Sequence, residues 1–326
     1  TWHGSEMLDG SYQGDERLSD IFQVVLSIPQ WFCVRRCFKS ACWGCSRMAA
    51  VRIVFGLLVG MLAGCPGETV SDTPETLVAE GWRQYELTEY DDAVELFSTA
   101  ADKAEPGSDI QLKALWSLGV TWDYRRPGND SAIARQCFEK ILAINPESSW
   151  AGWAALSLVR MRHVQATMEN LPFEDLLPLY DSVIETYPDH PAAQEAMMFK
   201  AETQFVIEGD ANVQGAIETL EKLLATYPDT PWKGYVYRFL AGGYERTKQY
   251  DKMVQTTEKQ VLYFQDSKGF LFDKPREYYR LAACAEFLAG DFDMARRYYR
   301  KLIEDYPFNF RVFPAKQALE RMDQLE

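Results

Sequence analysis

Histidine is nearly absent from the 326 residues: His3, His163 and His190 are the whole complement. A His-rich metal centre or a histidine-based acid–base apparatus has almost no material to be built from. Basic residues are also in deficit. There are 34 Lys and Arg against 48 Asp and Glu, a formal charge of −14 and a pI near 4.8. That balance argues against a nucleic-acid partner, because phosphate binding needs clustered cations, and it does not suit direct docking on anionic lipid. Gly-rich phosphate loops, Gly-x-Ser-x-Gly and His-Glu-x-x-His are all missing. The expectation is a non-enzyme with no catalytic residue, no cofactor and no metal. His163 and His190 are read as surface or turn histidines, and acid pairs such as Asp91-Asp92 and Glu304-Asp305 as solvated faces or helix caps. With 47% apolar and 25% charged residues, the chain is still composed as a folded protein. Its length allows one large domain, two ordinary ones or an extended repeat array.

Cysteine is sparse after the first 64 residues. Four of the seven are Cys33, Cys37, Cys42 and Cys45. Their C-x3-C-x4-C-x2-C spacing offers four thiolates, but the loop between the pairs is shorter than in zinc ribbons and fingers, and no zinc site is expected. Cys137 and Cys284 fall at helix-packing positions and read as buried structural thiols. At most one disulfide could form between them, so the fold must be held by its core.

From Met48 a basic residue, Arg52, precedes an apolar run from Ile53 to Met61, followed by Leu62-Ala63-Gly64-Cys65. The run is too short to span a bilayer, which takes about 20 apolar residues, and the layout is that of a secretory signal. Leu-Ala-Gly-Cys resembles the lipobox of bacterial lipoproteins. The resemblance implies cleavage before Cys65, diacylation of its thiol and N-acylation of the new terminus, giving stable anchoring through several chains. With Pro66 next, the family's sorting rule favours the outer membrane, with the protein facing the periplasm. Residues 1–47 begin at Thr1, and translation is expected to start at Met48. The expected organisation is therefore an extension (1–47), a signal peptide (48–64), a tether (65–73) and a helical repeat domain (74–326). Residues 65–326 carry −15, because the first 64 residues have a small basic excess.

The repeat domain is marked by proline. Pro106, Pro146, Pro188, Pro228 and Pro307 end apolar-periodic segments at intervals of 40, 42, 40 and 79 residues, the last nearly two periods. A proline there stops the second helix of a pair, and a fixed period of this size signals a solenoid. Within the repeats Gly81 is followed by Ala93, Phe97, Ala100 and Pro106. Leu115, Leu118, Gly119 and Trp122 are followed by Ala134, Phe138, Ile141 and Pro146. Tyr279, Ala282 and Ala283 lead to Ala295, Tyr299, Leu302 and Pro307. This pattern resembles the tetratricopeptide repeat. The implied fold is all-α, a right-handed solenoid of about six hairpins (74–106, 109–146, 148–188, 190–228, 230–267, 274–307) plus a closing helix near 313–325. Small residues let paired helices approach, and Phe97, Phe138 and Tyr299 are expected to fill the space between hairpins. The turns Thr88–Asp91, Lys248–Asp251 and Gly290–Asp293 should each supply a helix stop, an aromatic wedge and an N-cap acid. The third and fourth repeats are degenerate: Leu176 replaces the small Ala, and residues 167–172 read as an irregular insert.

The resemblance also implies a concave groove lined by the second, fifth, ninth and twelfth positions of each first helix. Taking Gly81, Gly119, Ala241 and Ala283 as the eighth position selects Trp82, Tyr85, Lys113, Trp116, Asp123, Tyr235, Arg238, Glu245, Arg280 and Phe287. Aromatic and basic groups together suit a peptide with apolar anchors and a few acidic groups. The ninth position holds Trp82, Val120, Gly242 and Cys284, not the Asn that carboxylate-clamp repeats need. The function this favours is a lipid-anchored periplasmic scaffold that binds another envelope protein. The Tyr-Pro-Asp-x-Pro endings at 187–191 and 227–231 resemble those of the outer-membrane β-barrel assembly lipoprotein, which makes an assembly factor a narrower reading. A glycan- or solute-binding helical lipoprotein remains the alternative, given nine tryptophans.

Overall fold

The computed structural model describes residues 72–124, 130–264 and 273–324. Every regular element among them is helical. Six antiparallel pairs follow in order: α1 (Pro74–Glu86) with α2 (Tyr90–Lys103), α3 (Asp109–Tyr124) with α4 (Ser131–Ile144), α5 (Ser149–Glu169) with α6 (Leu177–Thr186), α7 (Pro191–Val206) with α8 (Asp210–Thr226), α9 (Lys233–Arg246) with α10 (Tyr250–Tyr263), and α11 (Lys274–Cys284) with α12 (Phe292–Asp305). Helix α13 (Val312–Asp323) closes the array and buries Val312, Ala315, Ala318 and Met322 against it. The six expected hairpins and the closing helix are all present. The cysteine quartet, the signal segment, Cys65, the tether up to residue 71 and residue 325 of the expected closing helix lie outside the described residues.

Local chemistry sets the boundaries. Thr73 and Thr76 form a reciprocal capping box before Pro74, and Asp130, Ser148, His190 and Asp273 each accept a backbone N–H at the start of α4, α5, α7 and α11. The three matched turns stop their helices with a left-handed residue: Thr88 (φ 67), Lys248 (φ 57) and Gly290 (φ 70). The acids of these turns sit differently from the expectation. Asp91, Asp251 and Asp293 lie inside the first helical turn, where they favour the helix dipole. The cap positions belong to Glu89, Gln249 and Asp291, and of these three only Asp291 makes a side-chain bond, to the Met294 amide at 2.9 Å. The presumed insert is also shorter, since α5 continues through Glu169 to a left-handed Asn170.

Each aromatic wedge packs against the first helix of its own hairpin, and Phe97 and Phe138 share one buried cluster with Leu112, Leu115 and Ala154 of following hairpins. Phe97 and Phe138 are fully buried. A methyl group on Gly81 would stand 2.5 Å from the Phe97 ring, and one on Gly119 would stand 2.6 Å from the Phe138 ring. Glycine is needed there because the ring fills the space a side chain would take. Tyr299 likewise meets Tyr279 across its hairpin, with ring centroids 5.7 Å apart. His163, expected at the surface, is buried on α5 with Nδ1 2.7 Å from the Tyr180 hydroxyl. Cys137 is buried, Cys284 is half-buried, and both are free thiols.

Two clusters of buried apolar side chains run from Leu77 to Met161 and from Met197 to Met322. Between them Leu156, Leu176, Tyr180 and Val183 of the third hairpin are buried as well, and α6 packs more extensively on α7 than on its own partner α5.

The glycine–ring contact gives a direct test. Gly119→Ala should destabilise the protein by roughly 1–3 kcal/mol through overpacking, measured by urea unfolding. Combining it with Phe138→Leu should cost less than the sum of the two single changes. Strict additivity would show that the ring and the glycine are not coupled.

Candidate functional site

First helices lie beside first helices: α1 touches α3, α3 touches α5, α5 touches α7 and α7 touches α9. Side chains pointing away from the second helices therefore share one continuous face. Its chemistry changes along the array.

Over the first three hairpins the face is aromatic. The ring centroids of Trp82 and Trp116 are 6.1 Å apart, and those of Trp116 and Trp150 are 5.6 Å apart. Trp82 also meets Tyr85 edge-on at 5.2 Å and Phe97 at 5.4 Å, within the range in which aromatic pairs attract. All three tryptophans are half-buried, so each packs below while leaving part of its ring open. Asp109 fixes Trp150 by accepting its indole N–H at 2.9 Å. The Trp116 indole nitrogen is buried and has no hydrogen-bond partner. Lys113 and Asp123 are half-buried on the same helix as Trp116.

Between α5 and α7 the face becomes charged. Arg160 Nη1 lies 2.9 Å from Glu195 Oε1, both side chains being largely withdrawn from solvent. The Arg160 guanidinium also sits 4.8 Å over the Phe199 ring. Burial raises the Glu195 pKa, although Arg160 pulls it back. Glu202, one turn beyond Phe199, is pushed up to about 7, mainly by burial and further by the Glu195 charge, against the pull of Arg160. Beneath this pair Tyr180 stacks on Phe199 at 6.2 Å and hydrogen-bonds His163. Burial lowers the His163 pKa to about 4 and the Arg160 charge adds to the effect, so the imidazole is neutral.

Beyond α7 the groups are dispersed. Tyr235 leans on Trp232 at 6.1 Å, while Arg238 and Glu245 are exposed on α9. Arg280 holds Glu277, its Nε 2.9 Å from Oε2, and Arg276 holds the same carboxylate from the other side. Helix α11 then widens into a π turn over Ala285–Ala289, which rotates Phe287 from where an unbroken α-helix would carry it. Phe287 is 62% exposed and lies 5.2 Å from the Arg321 guanidinium of α13.

Of the residues selected from sequence, the structure thus gathers Trp82, Tyr85 and Trp116 into one run. It places Lys113 and Asp123 beside that run and leaves Tyr235, Arg238, Glu245, Arg280 and Phe287 spread over the last two hairpins. Trp150, Arg160, Glu195 and Glu202 escaped the sequence reading because the third and fourth repeats lack the small-residue signature. A signal was there: Pro106 to Gly119 and Pro228 to Ala241 both span 13 residues. The same count from Pro146 and Pro188 gives Val159 and Ala201, which puts Arg160 and Glu202 at the ninth position. Among the described residues no group of three or more His, Cys, Asp or Glu could hold a metal ion, and no helix is long and apolar enough to cross a membrane.

Comparison with known proteins agrees with the fold. A tetratricopeptide-repeat family model matches residues 278–309, most of the last hairpin and the turn after it. A signal-transduction ATPase with a tetratricopeptide-repeat sensor from Pyrococcus horikoshii superposes with a TM-score of 0.51 at 13% identity, covering 74% of this chain and 36% of that one. PilF of Pseudomonas aeruginosa gives 0.47 at 16% identity over 74% of this chain and 97% of its own. No curated protein matches the chain. The chain is an all-α, tetratricopeptide-like solenoid.

The buried charges generate a pH test. Folding raises Glu202 from 4.5 to about 7, so its contribution to stability is fully present below pH 4.5 and is lost as pH rises to about 7. His163, lowered from 6.5 to about 4, runs the other way: its contribution is present above 6.5 and is lost as pH falls towards 4. Glu202→Gln removes the first limb only. Relative to the unmodified protein, its unfolding free energy should rise by roughly 1–3 kcal/mol between pH 4.5 and 7, at about 1.4 kcal/mol per pKa unit. A difference that does not change with pH would contradict the burial of Glu202.

Proposed function

We propose that this chain is a non-enzymatic scaffold of the bacterial cell envelope, anchored through acylated Cys65 and holding a segment of another envelope protein along its first-helix face. The observation that carries the reading is the run Trp82–Trp116–Trp150, three half-buried indoles from three successive hairpins, with ring centroids 6.1 and 5.6 Å from one to the next. Nothing in the packing of one hairpin requires an indole at each of these places: α9 has Arg238 where α3 has Trp116, counted from the preceding proline. Rigid aromatic anchors in a partly desolvated row are what polypeptide recognition uses. The fold supports a protein partner in general. The anchor, the outer-membrane location and the periplasmic setting rest on the Leu62–Cys65 motif and its following Pro66 alone.

A second reading takes its support from the same indoles. Flat rings in series also suit the faces of a sugar chain, so a glycan-binding lipoprotein is the alternative. A narrower role in outer-membrane protein assembly rests on repeat style only.

Two measurements test the proposal. Indole fluorescence titrated with aromatic-rich decapeptides should shift and saturate, and Trp116→Ala should weaken the binding about tenfold, as loss of a hot-spot aromatic does. Saturation with oligosaccharides, and none with peptides, would move the assignment to glycans. Separately, cells fed an alkyne-tagged palmitate should label the protein, and Cys65→Ser should abolish both the label and membrane sedimentation. Label retained in that variant would remove the anchor from the proposal.

A further inference from the structure

We propose that the first-helix face carries, where α5 meets α7, a subsite for one lysine or arginine side chain of the bound polypeptide, with the Glu202 carboxylate as its acceptor. This rests on the polypeptide-binding reading above and adds the chemistry of a single contact.

Glu195, Phe199 and Glu202 are spaced four and three residues apart on α7, so they share one side of that helix. Arg160 reaches across from α5, its guanidinium over the Phe199 ring at 4.8 Å and its Nη1 on Glu195 at 2.9 Å. One positive charge thus serves two carboxylates. Glu195 takes it in a direct ion pair. Glu202 is half-buried and has no hydrogen-bonded partner among the described residues. A carboxylate left in that condition is costly unless a cation or a proton reaches it. The solenoid does not ask for an acid there: the equivalent place on other first helices holds Trp82, Val120, Gly242 and Cys284. The local excess of one negative charge sits at the end of the aromatic run, on the same face. A basic side chain reaching the Glu202 carboxylate beside Arg160 would neutralise it through a charge-assisted hydrogen bond.

The rival account is that Glu202 stays protonated as a neutral packing residue, which glutamine would reproduce. The test therefore compares the full chain with its Glu202→Gln and Trp116→Ala variants on a positional-scanning library of fluorescein-labelled octapeptides. Each position is fixed in turn as Lys, Arg, norleucine, Phe or Glu. The unmodified protein should favour Lys or Arg over norleucine by about tenfold at one position, as expected for one charge-assisted hydrogen bond. Glu202→Gln should remove that preference and leave the selection for Phe at other positions intact. Trp116→Ala should do the reverse. An unchanged Lys or Arg preference in Glu202→Gln overturns the subsite. So does selection for Phe without any cationic preference in the unmodified protein, which leaves the polypeptide reading standing. No peptide selection of any kind overturns both.

Discussion

A solenoid has no common centre, so its continuity depends on each hairpin-to-hairpin interface in turn. In this chain the apolar cluster that starts at Leu77 ends at Met161, and the next starts at Met197. Across that gap α5 and α7 are joined by the Arg160–Glu195 ion pair, with the Phe199 ring beneath the guanidinium. Withdrawing two charges from water costs several kcal/mol per ion, and the attraction between them roughly offsets that cost when the geometry is good. The pair is therefore not a strong source of cohesion. Its consequence is specificity: a shift of α7 by one turn would strand both charges in a poorly solvated place.

The rest of the seam follows the same logic. Tyr180 from α6 stacks on Phe199 and spends its hydroxyl on His163 of α5. That hydrogen bond satisfies one ring nitrogen of a buried histidine that burial and the Arg160 charge keep neutral. His190 caps α7 by accepting the Ala192 N–H and brings its other ring nitrogen 2.7 Å from the Ser149 carbonyl oxygen at the start of α5. Gly152 is small because the His190 ring lies against it. The junction of the third and fourth hairpins adds these polar contacts to buried Leu156, Leu176 and Val183, and the short helix α6 leans towards α7.

The same junction marks the limit of what the sequence could show. Hairpins one, two, five and six were legible because their packing is generic: Gly81 and Gly119 under phenylalanine rings, left-handed turns at Thr88, Lys248 and Gly290, and Pro106, Pro146 and Pro307 after the second helices of the first, second and sixth. Period and turn chemistry survive in one dimension. The third hairpin builds its contacts from Arg160, His163, Tyr180 and Glu195, which lie up to 35 residues apart in sequence and follow no period. Leu176 replaces the small residue there because it belongs to a 3-10 turn, Phe173–Leu176, that precedes α6. The position of Phe287 escaped for another reason: a π turn is a backbone choice that residue counting cannot see. The wedge phenylalanines were recognised as structural, but their direction, into their own hairpin, is a fact of three dimensions.

The seam and the candidate site have a common origin. At the ninth position of a first helix, this array uses Trp82 and Val120 in the first two hairpins and Gly242 and Cys284 in the last two, all compatible with apolar packing. Only at the junction of the third and fourth do both neighbours carry charge, Arg160 on α5 and Glu202 on α7. The charged residues of this junction also end the aromatic face, after Trp150. A polypeptide lying along the first helices would meet indoles over three hairpins and then an under-neutralised acid. Affinity along the aromatic stretch is tolerant, since an indole accepts many apolar partners. A buried carboxylate is not tolerant, because the wrong partner leaves it desolvated and unpaired. Register of the ligand would be set at this junction, where the register of α5 on α7 is also set.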